Sequence, residues 1–314
     1  MLVNKGKTLK VAIIGECMLE LSMQKNGLYK IGYGGDTLNT AVYLSRCGGL
    51  CDYFTVIGDD SYSSSMKLDW ENSGVGVSKV KVAERNNSGL YLIENDDDGE
   101  RYFHYWRNHS PARQLLHYYP ELFSDLMNYD YVFLTGITLS LYSEDDRQAL
   151  LGFLKTYRGA GGRVVFDNNY RSNGWVSVEF AITAYQQMMT LTDVALLSLD
   201  DEVLMYGEHS AKQCIQRWER AGVTEVVVKN GHRGCMAYVD EQISEIPLER
   251  LIQPRDTTAA GDSFNGAYLA ARLQSKSVEE SVLDGQFCAS VVIQHSGAII
   301  NEDVNVARGA AHDN

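Results

Sequence analysis

Proline and long apolar runs are both scarce in this sequence. Only four prolines occur among 314 residues, and neither a fixed-period repeat nor a low-complexity tract is present, which argues against linkers and solenoids. No segment reaches the apolar length that a membrane-spanning helix needs. The longest apolar stretch near the start, residues 11–14, is too short for the core of a signal peptide.

Cysteine is present but forms no recognisable site. Its six copies are scattered, with no Cys-x-x-Cys pair and no matching histidine pair: Cys17, Cys47, Cys51, Cys214, Cys235 and Cys288. A zinc site built on Cys47 and Cys51 would need further ligands that the sequence does not offer. We therefore interpret the cysteines as free thiols in a reducing cytoplasm.

Basic residues are outnumbered by acidic ones. The 28 Lys and Arg residues against 41 Asp and Glu residues give a formal net charge of −13 at pH 7. This acidity disfavours nucleic acid and anionic membranes as partners. With 45% hydrophobic residues, a chain of 314 residues can bury a large core, as one big α/β domain or a domain with an appendage.

Short runs rich in β-branched residues recur along the chain, each followed by turn residues and then by helical spacing. They occupy residues 11–15, 131–136, 163–167, 194–197 and 225–229. This alternation predicts βαβ units and a mainly parallel sheet covered by helices. Ligands are then expected at the carboxyl ends of the strands.

Residues 91–94 and 101–107 break this pattern and predict a β-hairpin around the turn-rich residues 95–99. The second run carries aromatic residues on both faces, with Phe103, Tyr105 and Arg107 on one and Tyr102, His104 and Trp106 on the other. Such a hairpin needs cover on both sides, from a substrate, the main domain or a second subunit. An ordinary edge hairpin is the alternative interpretation.

The most informative motif is residues 256–266, Asp-Thr-Thr-Ala-Ala-Gly-Asp-Ser-Phe-Asn-Gly. Its small residues allow close approach of a ligand, and the apolar spacing that follows predicts a helix. The first N–H groups of a helix lack partners within it and stabilise phosphate oxygens. Asp262 would repel a phosphate there, so it is either a helix cap or a general base that takes a proton from an attacking hydroxyl.

This motif resembles the second signature of the ribokinase-like (PfkB) carbohydrate kinases, Asp-Thr-x-Gly-Ala-Gly-Asp, with Ala259 in place of the first glycine. The resemblance implies that Asp262 is the catalytic base. It also implies that the amides of Ala259, Ala260 and Gly261 hold the transferring phosphoryl group. ATP and Mg²⁺ are the cofactors expected for such a kinase.

The same resemblance implies a fold. Residues 1–314 are expected to form one ribokinase-like domain, a three-layer α/β/α structure with a mainly parallel central sheet and a small β-sheet lid. Residues 16–33 and 88–109 are expected to form the lid, which closes over the sugar in this family. The apolar faces of the lid suggest a homo-oligomer, and closure over the substrate would explain them equally well.

A second motif, residues 34–41, reads Gly-Gly-Asp-Thr-Leu-Asn-Thr-Ala and joins a predicted strand to a predicted helix. Gly34 and Gly35 allow a tight turn, while Asp36 and Asn39 offer an acceptor and an amide that suit sugar hydroxyls. A structural Gly-Gly turn with an Asx cap is the alternative. The motif is similar to the first signature of the same family, Gly-Gly-x-x-x-Asn-x-Ala, where these residues hold the sugar.

Two arginines indicate an acidic substrate, because a guanidinium fork binds a carboxylate through two charge-assisted hydrogen bonds. Arg107 follows Tyr105 and Trp106, and Arg171 follows Asp-Asn-Asn-Tyr; a surface charge is the alternative for Arg107. The patterns Gly-Gly-Asp-Thr-Leu-Asn, Tyr-Trp-Arg and Asp-x-Asn-Tyr-Arg resemble one branch of the family, the 2-keto-3-deoxygluconate kinases. That branch phosphorylates the O6 hydroxyl to give 2-keto-3-deoxy-6-phosphogluconate. By the resemblance, the substrate contacts are Tyr91, Tyr105, Arg107 and Arg171.

Residues 229–234, Lys-Asn-Gly-His-Arg-Gly, place a cation and two glycines at the carboxyl end of a predicted strand. Lys229 could offset phosphate charge, although Gly-x-x-Gly is also common in hairpin turns. In this position the run resembles the family's ATP-binding loop. By that resemblance, the nucleotide site comprises Asn169, Arg171, Ser198, Lys229, Gly231, Arg233, Gly234, Ala260 and Gly261.

Metal ligands are less clearly marked. Where the family commonly has Asn-x-x-Glu, this chain has Ser198-Leu-Asp-Asp201 followed by Glu202. Either Asp201 or Glu202 would order Mg²⁺ through water, because that ion keeps much of its hydration shell. Asp256 and residues 289–297 fall where many relatives bind a monovalent cation, so K⁺ is a further expectation from the resemblance.

Three other functions compete with a kinase for an acidic sugar. A kinase for a neutral sugar such as fructose or ribose would keep the chemistry and leave the two arginines unexplained. A silent sugar sensor would not need Asp262 and its loop. A nicotinamide dehydrogenase would need Gly-x-Gly-x-x-Gly after the first strand, which is missing.

Overall fold

A computed structural model describes residues 8–24, 26–95, 101–207 and 210–309. In this part of the chain the strands are β1 Lys10–Ile14, β2 Met18–Met23, β3 Tyr29–Gly34, β4 Leu50–Gly58, β5 Val80–Ala83, β6 Leu90–Asn95, β7 Arg101–Trp106, β8 Tyr131–Thr135, β9 Arg163–Asp167, β10 Val194–Ser198, β11 Glu225–Lys229, β12 Cys235–Val239 and β13 Gln242–Ile246. The α-helices are α1 Asp36–Arg46, α2 Ser61–Asn72, α3 Leu115–Tyr118, α4 Leu122–Leu126, α5 Gly136–Leu141, α6 Glu144–Gly159, α7 Val178–Met189, α8 Leu199–Tyr206, α9 Ala211–Arg220, α10 Ala260–Leu273 and α11 Val278–Val292. No helix among these residues is long and apolar enough to cross a bilayer.

The central sheet has the strand order β13-β12-β11-β10-β9-β8-β1-β4-β5. In this order, the seven strands from β11 to β5 pair with their neighbours in parallel. Strands β12 and β13 add an antiparallel edge beside β11. The five strands predicted from β-branched runs are β1, β8, β9, β10 and β11, and each agrees to within one residue at its ends. The predicted mainly parallel sheet is therefore confirmed.

Helices cover both faces of this sheet because successive strand residues point to opposite sides. In β1, Val11 and Ile13 join a buried cluster with residues of α1, α10 and α11. Ala12 and Ile14 join a second cluster with residues of α6, α7 and α9. Two apolar clusters separated by a sheet make a three-layer α/β/α structure, as predicted.

A smaller sheet, which we call the lid sheet, has the order β3-β2-β6-β7. Strands β6 and β7 pair antiparallel, so the predicted hairpin is confirmed, while part of its predicted turn lies outside the described residues. Strand β2 joins the two hairpins by pairing with β6 in parallel. These strands fall, to within one residue, in the two segments predicted for a lid.

Helices α1 and α10 meet at Gly266. A Cβ atom added there would lie 2.7 Å from the carbonyl oxygen of Thr40 and 2.7 Å from the amide nitrogen of Leu44, both backbone atoms of α1. Only glycine fits this contact without moving a helix. Because α1 begins with Asp36 and α10 carries Asp262, the contact also fixes the distance between the two motifs.

Replacing Gly266 with alanine is therefore expected to lower the free energy of unfolding by about 1–3 kcal/mol, because the helices must separate. Urea unfolding followed by circular dichroism measures this. Gly152→Ala in α6 is the matched control, since its added Cβ would meet nothing within 4 Å. The control is expected to stabilise the protein by about 0.5–1 kcal/mol through helix propensity. Equal effects at the two positions would contradict the tight contact.

Candidate active site

A cavity of about 950 Å³ opens at the carboxyl edge of the central sheet. Its walls come from the ends of β9, β10 and β11, the first turns of α1 and α10, the lid sheet, residues 248–254 and α11. Most of the predicted site residues line it: Gly34, Gly35, Asp36, Asn39, Tyr91, Tyr105, Asn169, Arg171, Ser198, Asp201, Lys229, Gly231, Gly234, Ala259, Ala260, Gly261 and Asp262. Four predicted residues do not line it: Arg107, Glu202, Arg233 and Asp256.

Asp262 stands in the first turn of α10, where the two sequence motifs meet. The side-chain amide of Asn39 donates a hydrogen bond of 2.8 Å to its Oδ2. Burial, together with the negative charges of Asp36 and Asp167, raises the pKa of Asp262 to about 7; Asn39 and Lys229 oppose the rise. A carboxyl group with this pKa can accept and return a proton near neutral pH.

Two hydrogen-bond donors hold the carboxylate of Asp36, the first residue of α1. Its Oδ2 accepts hydrogen bonds from Thr135 Oγ1 at 2.6 Å and from Asn169 Nδ2 at 2.7 Å. Burial raises the pKa of Asp36 above its ordinary value, although these donors oppose the rise. Thr135 was not predicted, because only the fold brings the end of β8 beside α1.

The loop before α10 adopts a backbone that favours glycine. Ala259 has φ of 59°, in the left-handed region, and its carbonyl accepts from Ser263 N at 2.8 Å. An L-residue other than glycine pays about 1–2 kcal/mol there, so Ala259 stores a small strain at the site. The N–H of Ala260 already donates to the carbonyl of Thr257 at 3.2 Å. A phosphate would have to open that bond to use the Ala260 amide.

Lys229 lies beside this loop. Its Nζ is 3.6 Å from where a Cβ on Gly261 would stand, donates 2.9 Å to Asn265 Oδ1 and lies 3.6 Å from Asp167 Oδ2. Asn265 Nδ2 donates 2.6 Å to the same Asp167 oxygen. Asp167 and Asn265 were absent from the predicted site. Asp167 could have been found as an acid at the carboxyl end of a predicted strand, whereas the sequence offers no signal for Asn265.

Aromatic rings of the lid sheet form one end of the cavity. Tyr91, Phe103 and Tyr105 have ring centroids 6.0–6.4 Å apart, and the hydroxyl of Tyr91 donates to Glu20. Burial raises the pKa of Tyr105, and the positive charges of Arg107 and Arg171 both oppose the rise. Both arginines therefore lie close enough to this cavity-lining tyrosine to act on its charge.

Arg107 itself is paired with an acid instead of facing the cavity. Its Nη2 donates to Oε2 of Glu16, whose side chain is 1% exposed. Arg107 Nε and Glu16 Oε1 are both buried without a hydrogen-bond partner in the part of the chain that the structure describes. The pair is thus joined at one atom each and is not a bidentate fork.

The two candidate acids for Mg²⁺ point in different directions. Asp201 lines the cavity and accepts from Arg171 Nη1 at 3.2 Å. Glu202 instead accepts from Trp218 Nε1 at 3.1 Å and pairs with Arg217, so its carboxylate does not reach the cavity. Among the described residues, no group of three or more His, Cys, Asp or Glu could hold a metal. The donor set fits an ion held mainly by water and phosphate.

The remaining two predicted residues lie outside the cavity wall. Arg233 is exposed on the 3₁₀ turn Gly231–Arg233. Asp256 is buried, and its carboxylate accepts from Thr258 N and Gly297 N, both at 2.9 Å. Asp256 thus fastens the loop before α10 to the C-terminal segment.

The model of the pfkB family carbohydrate kinases matches residues 8–305. This chain belongs to that family. The 2-dehydro-3-deoxygluconokinase of Escherichia coli K12 is 44% identical over 303 residues, covering 93% of this chain and 97% of the relative. The protein of the same name from Haemophilus influenzae is 36% identical over 302 residues, covering 93% and 96%.

Solved structures of other kinases share the fold. A 2-dehydro-3-deoxygluconokinase from Thermotoga maritima superposes with a TM-score of 0.80 at 20% identity, covering 94% of this chain and 95% of that one. A putative ribokinase II from E. coli in complex with ATP and Mg²⁺ also gives 0.80 at 20% identity, covering 92% and 94%. The ribokinase-like fold predicted from the motifs is confirmed, and family membership favours a kinase over a dehydrogenase.

The pH dependence of this pfkB kinase follows from Asp262. If Asp262 must be deprotonated to act as the base, kcat/KM for the sugar falls about tenfold per pH unit below its pKa and is level above it. Since the pKa of Asp262 in the ligand-free protein is about 7, we expect the midpoint near pH 7. Initial rates between pH 5.5 and 8.5 measure the profile, with the coupling enzymes in excess at every pH. A profile that is level down to pH 5.5 would contradict this assignment.

Proposed function

We propose that this protein is an ATP-dependent kinase that transfers the γ-phosphate of ATP to the O6 hydroxyl of 2-keto-3-deoxygluconate. The product is 2-keto-3-deoxy-6-phosphogluconate. One observation carries the chemistry: the hydrogen bond from Asn39 to Asp262 joins the sugar motif to the phosphate loop. Relatives that are 36–44% identical over nearly their whole length, and that carry the name 2-dehydro-3-deoxygluconokinase, support the substrate.

Asp262 acts as the general base. It takes the proton from O6 as that oxygen attacks the γ-phosphorus in line with the leaving ADP oxygen. Asn39 orients the carboxylate, and Asp36, fixed by Thr135 and Asn169, accepts from sugar hydroxyls. The chain thereby aligns the acceptor hydroxyl between a base and a phosphoryl group.

Charge on the transferring group is balanced by the loop before α10 and by Lys229. Amides at the start of α10 would face the phosphoryl oxygens once the bond from Ala260 to Thr257 opens, and the Lys229 ammonium lies beside Gly261. When bound, Mg²⁺ supplies further neutralisation of phosphate charge, and Asp201 would hold one of its waters. Residues 248–254 and α11 would cover the nucleotide base.

The acidic end of the sugar is recognised from the lid side. Arg171 reaches the cavity, and Arg107, which pairs with Glu16 in the ligand-free protein, would turn toward the cavity to bind the substrate carboxylate. Tyr105 lies near both, while Tyr91 and Phe103 would pack against the sugar carbons. Closure of the lid sheet would exclude water, which otherwise competes as the acceptor.

The outer surface of the lid sheet leads us to propose a homo-oligomer. Several large apolar side chains are more than two-fifths exposed there: Leu28, Tyr29, Ile31, Tyr102 and Trp106. A second copy would bury them. Sedimentation of the purified chain, with Ile31→Lys as the disrupting variant, tests this. We also propose a cytoplasmic location, in keeping with the free cysteines.

We further propose that K⁺ binds beside the loop that precedes α10. Asp256 would supply one ligand while keeping its two amide hydrogen bonds, together with backbone carbonyls of residues 289–297. A bound cation there would steady the segment that leads into Ala259.

Proton-coupled ³¹P NMR of the product tests the proposed function. Transfer to O6 joins phosphorus through oxygen to a CH₂ group. Coupling to the two protons of that group is expected to split the new phosphomonoester signal into a triplet. A doublet would mean transfer to a secondary hydroxyl, and inorganic phosphate alone would mean ATP hydrolysis. Either outcome would contradict the proposed reaction.

A further inference from the structure

Lys229 and Asp167 form an ion pair that is held open. Their nearest atoms, Nζ and Oδ2, are 3.6 Å apart, whereas a charge-assisted hydrogen bond has about 2.7–2.9 Å. Asn265 bridges them, accepting from Lys229 at 2.9 Å and donating to Asp167 at 2.6 Å. We propose that Asn265 is a positioning residue: by standing between Lys229 and Asp167, it keeps the lysine ammonium beside the phosphate-binding loop.

Because the pair is open, the ammonium of Lys229 keeps N–H donors that can bind a ligand. Lysine has three N–H donors, and only one is used by Asn265. The distance to Asp167 is too long for a normal hydrogen bond, so further donors remain for a phosphate oxygen. The Lys229 side chain keeps 14% of its exposure and lines the cavity. If the pair closed, the Lys229 ammonium would be neutralised by Asp167 and would move away from Gly261.

The role requires the amide of asparagine. One end must accept from a cation and the other must donate to a carboxylate, and only an amide does both in a fixed orientation. Leucine would offer neither contact, and aspartate would place a second carboxylate against Asp167. Asn265 is fully buried, one helical turn after Asp262, so α10 presents the base and the spacer on the same face.

Opening the pair also affects the base. The charged groups that face Asp262 are Asp36 from α1, Asp167 from β9 and Lys229 from β11. The two acids raise its pKa and the lysine lowers it. Drawing Lys229 onto Asp167 would weaken both the lowering influence of the lysine and the raising influence of Asp167, so the pKa of the base would change.

The test is steady-state kinetics of the full chain with MgATP and 2-keto-3-deoxygluconate, comparing wild type with Asn265→Leu. We expect kcat to fall about 10- to 100-fold, because the ammonium is misplaced, while KM for the sugar stays within about 2-fold. The acidic limb of the pH profile is expected to shift, because the charges that act on Asp262 are rearranged. Tyr268→Phe on the same helix is the matched control, since it removes a buried 2.6 Å hydrogen bond to Glu225 outside the cavity. It should lower stability and leave kcat unchanged.

A double-variant cycle with Lys229→Met separates positioning from a purely structural role. In that background, Asn265→Leu is expected to cost less than about 2-fold in kcat, because there is no ammonium left to position. If the full loss persists without Lys229, or if Asn265→Leu alone leaves kcat and the pH limb unchanged, the proposal fails. Asn265→Asp is isosteric and serves in the same cycle if the leucine variant does not fold.

The inference rests on the proposed sugar phosphorylation, and the two can fail separately. Wild-type protein that phosphorylates the sugar, with an additive cycle, would overturn the role of Asn265 alone. Wild-type protein that does not phosphorylate it would overturn the proposed function. In that case the same double-variant cycle, measured by the rate of ATP hydrolysis, still tests whether Asn265 positions Lys229.

Discussion

Replacing Asp262 with asparagine is expected to lower kcat by about 10²- to 10⁴-fold, because the acceptor hydroxyl loses its proton acceptor. KM for the sugar should change little, since an asparagine can still accept the hydrogen bond from Asn39. The variant should also lose the acidic limb of the pH profile, because no group with a pKa of about 7 remains at this position. Initial ADP release measures the rate, and isothermal titration measures sugar binding.

Asp60→Asn is the matched control for this prediction. The same Asp-to-Asn change is made there at the N-terminus of a different helix. Asp60 caps α2 by accepting 2.9 Å hydrogen bonds from Tyr62 N and Ser63 N, and it lies away from the cavity. Its kcat should stay at the wild-type value. An Asp262→Asn protein that turns over at the wild-type rate would remove the base assignment and leave Asp262 as a hydrogen-bond partner of Asn39.

The second large effect is expected at the two arginines. Each charge-assisted hydrogen bond contributes about 1.5–3 kcal/mol, so Arg107→Met or Arg171→Met should lower kcat/KM for 2-keto-3-deoxygluconate about 10- to 100-fold. Both arginines act on Tyr105 and would share one carboxylate, so the double variant should lose less than the product of the two single losses. Turnover of a neutral sugar should fall far less, since it has no carboxylate to lose. Coupled kinetics with both substrates measure the selectivity.

Arg220→Met is the control for a lost positive charge, because Arg220 is exposed on α9 away from the cavity. Arg107 carries a further expectation, since it is paired with Glu16 in the ligand-free protein. If Arg107 stays bound to Glu16 alone when the substrate binds, Arg107→Met will reduce stability and leave the preference for acidic over neutral sugars unchanged. Equal losses for acidic and neutral sugars would contradict carboxylate recognition by either arginine.

The sequence was sufficient where a motif and a strand end coincide. Residues 34–41 and 256–266 each sit at a loop that opens a helix, and the parallel sheet brings such loops to one edge. Asp36, Asn39, Gly261 and Asp262 therefore line one cavity, as the motifs predicted. Runs of β-branched residues were enough to predict the central strands, because strands that are buried on both faces are apolar along their whole length.

Prediction from sequence ended where orientation depends on a distant partner. Asp201 and Glu202 are neighbours on α8, about 100° apart around the helix, so only one of them can face the cavity. Arg107 shares the strand face of Tyr105 in the sequence pattern, yet Glu16, far away in the chain, pairs with its guanidinium. Asn265 acquires its two partners only when β9, β11 and α10 come together. No local pattern encodes these pairings.

The most direct test of the account is initial ADP release by the purified protein with MgATP, comparing 2-keto-3-deoxygluconate with gluconate, fructose and ribose. We predict that kcat/KM for the keto-deoxy acid exceeds that for the neutral sugars by about 10²-fold or more, which corresponds to about 3 kcal/mol of transition-state binding. A preference for fructose or ribose would contradict recognition of an acidic sugar by Arg107 and Arg171.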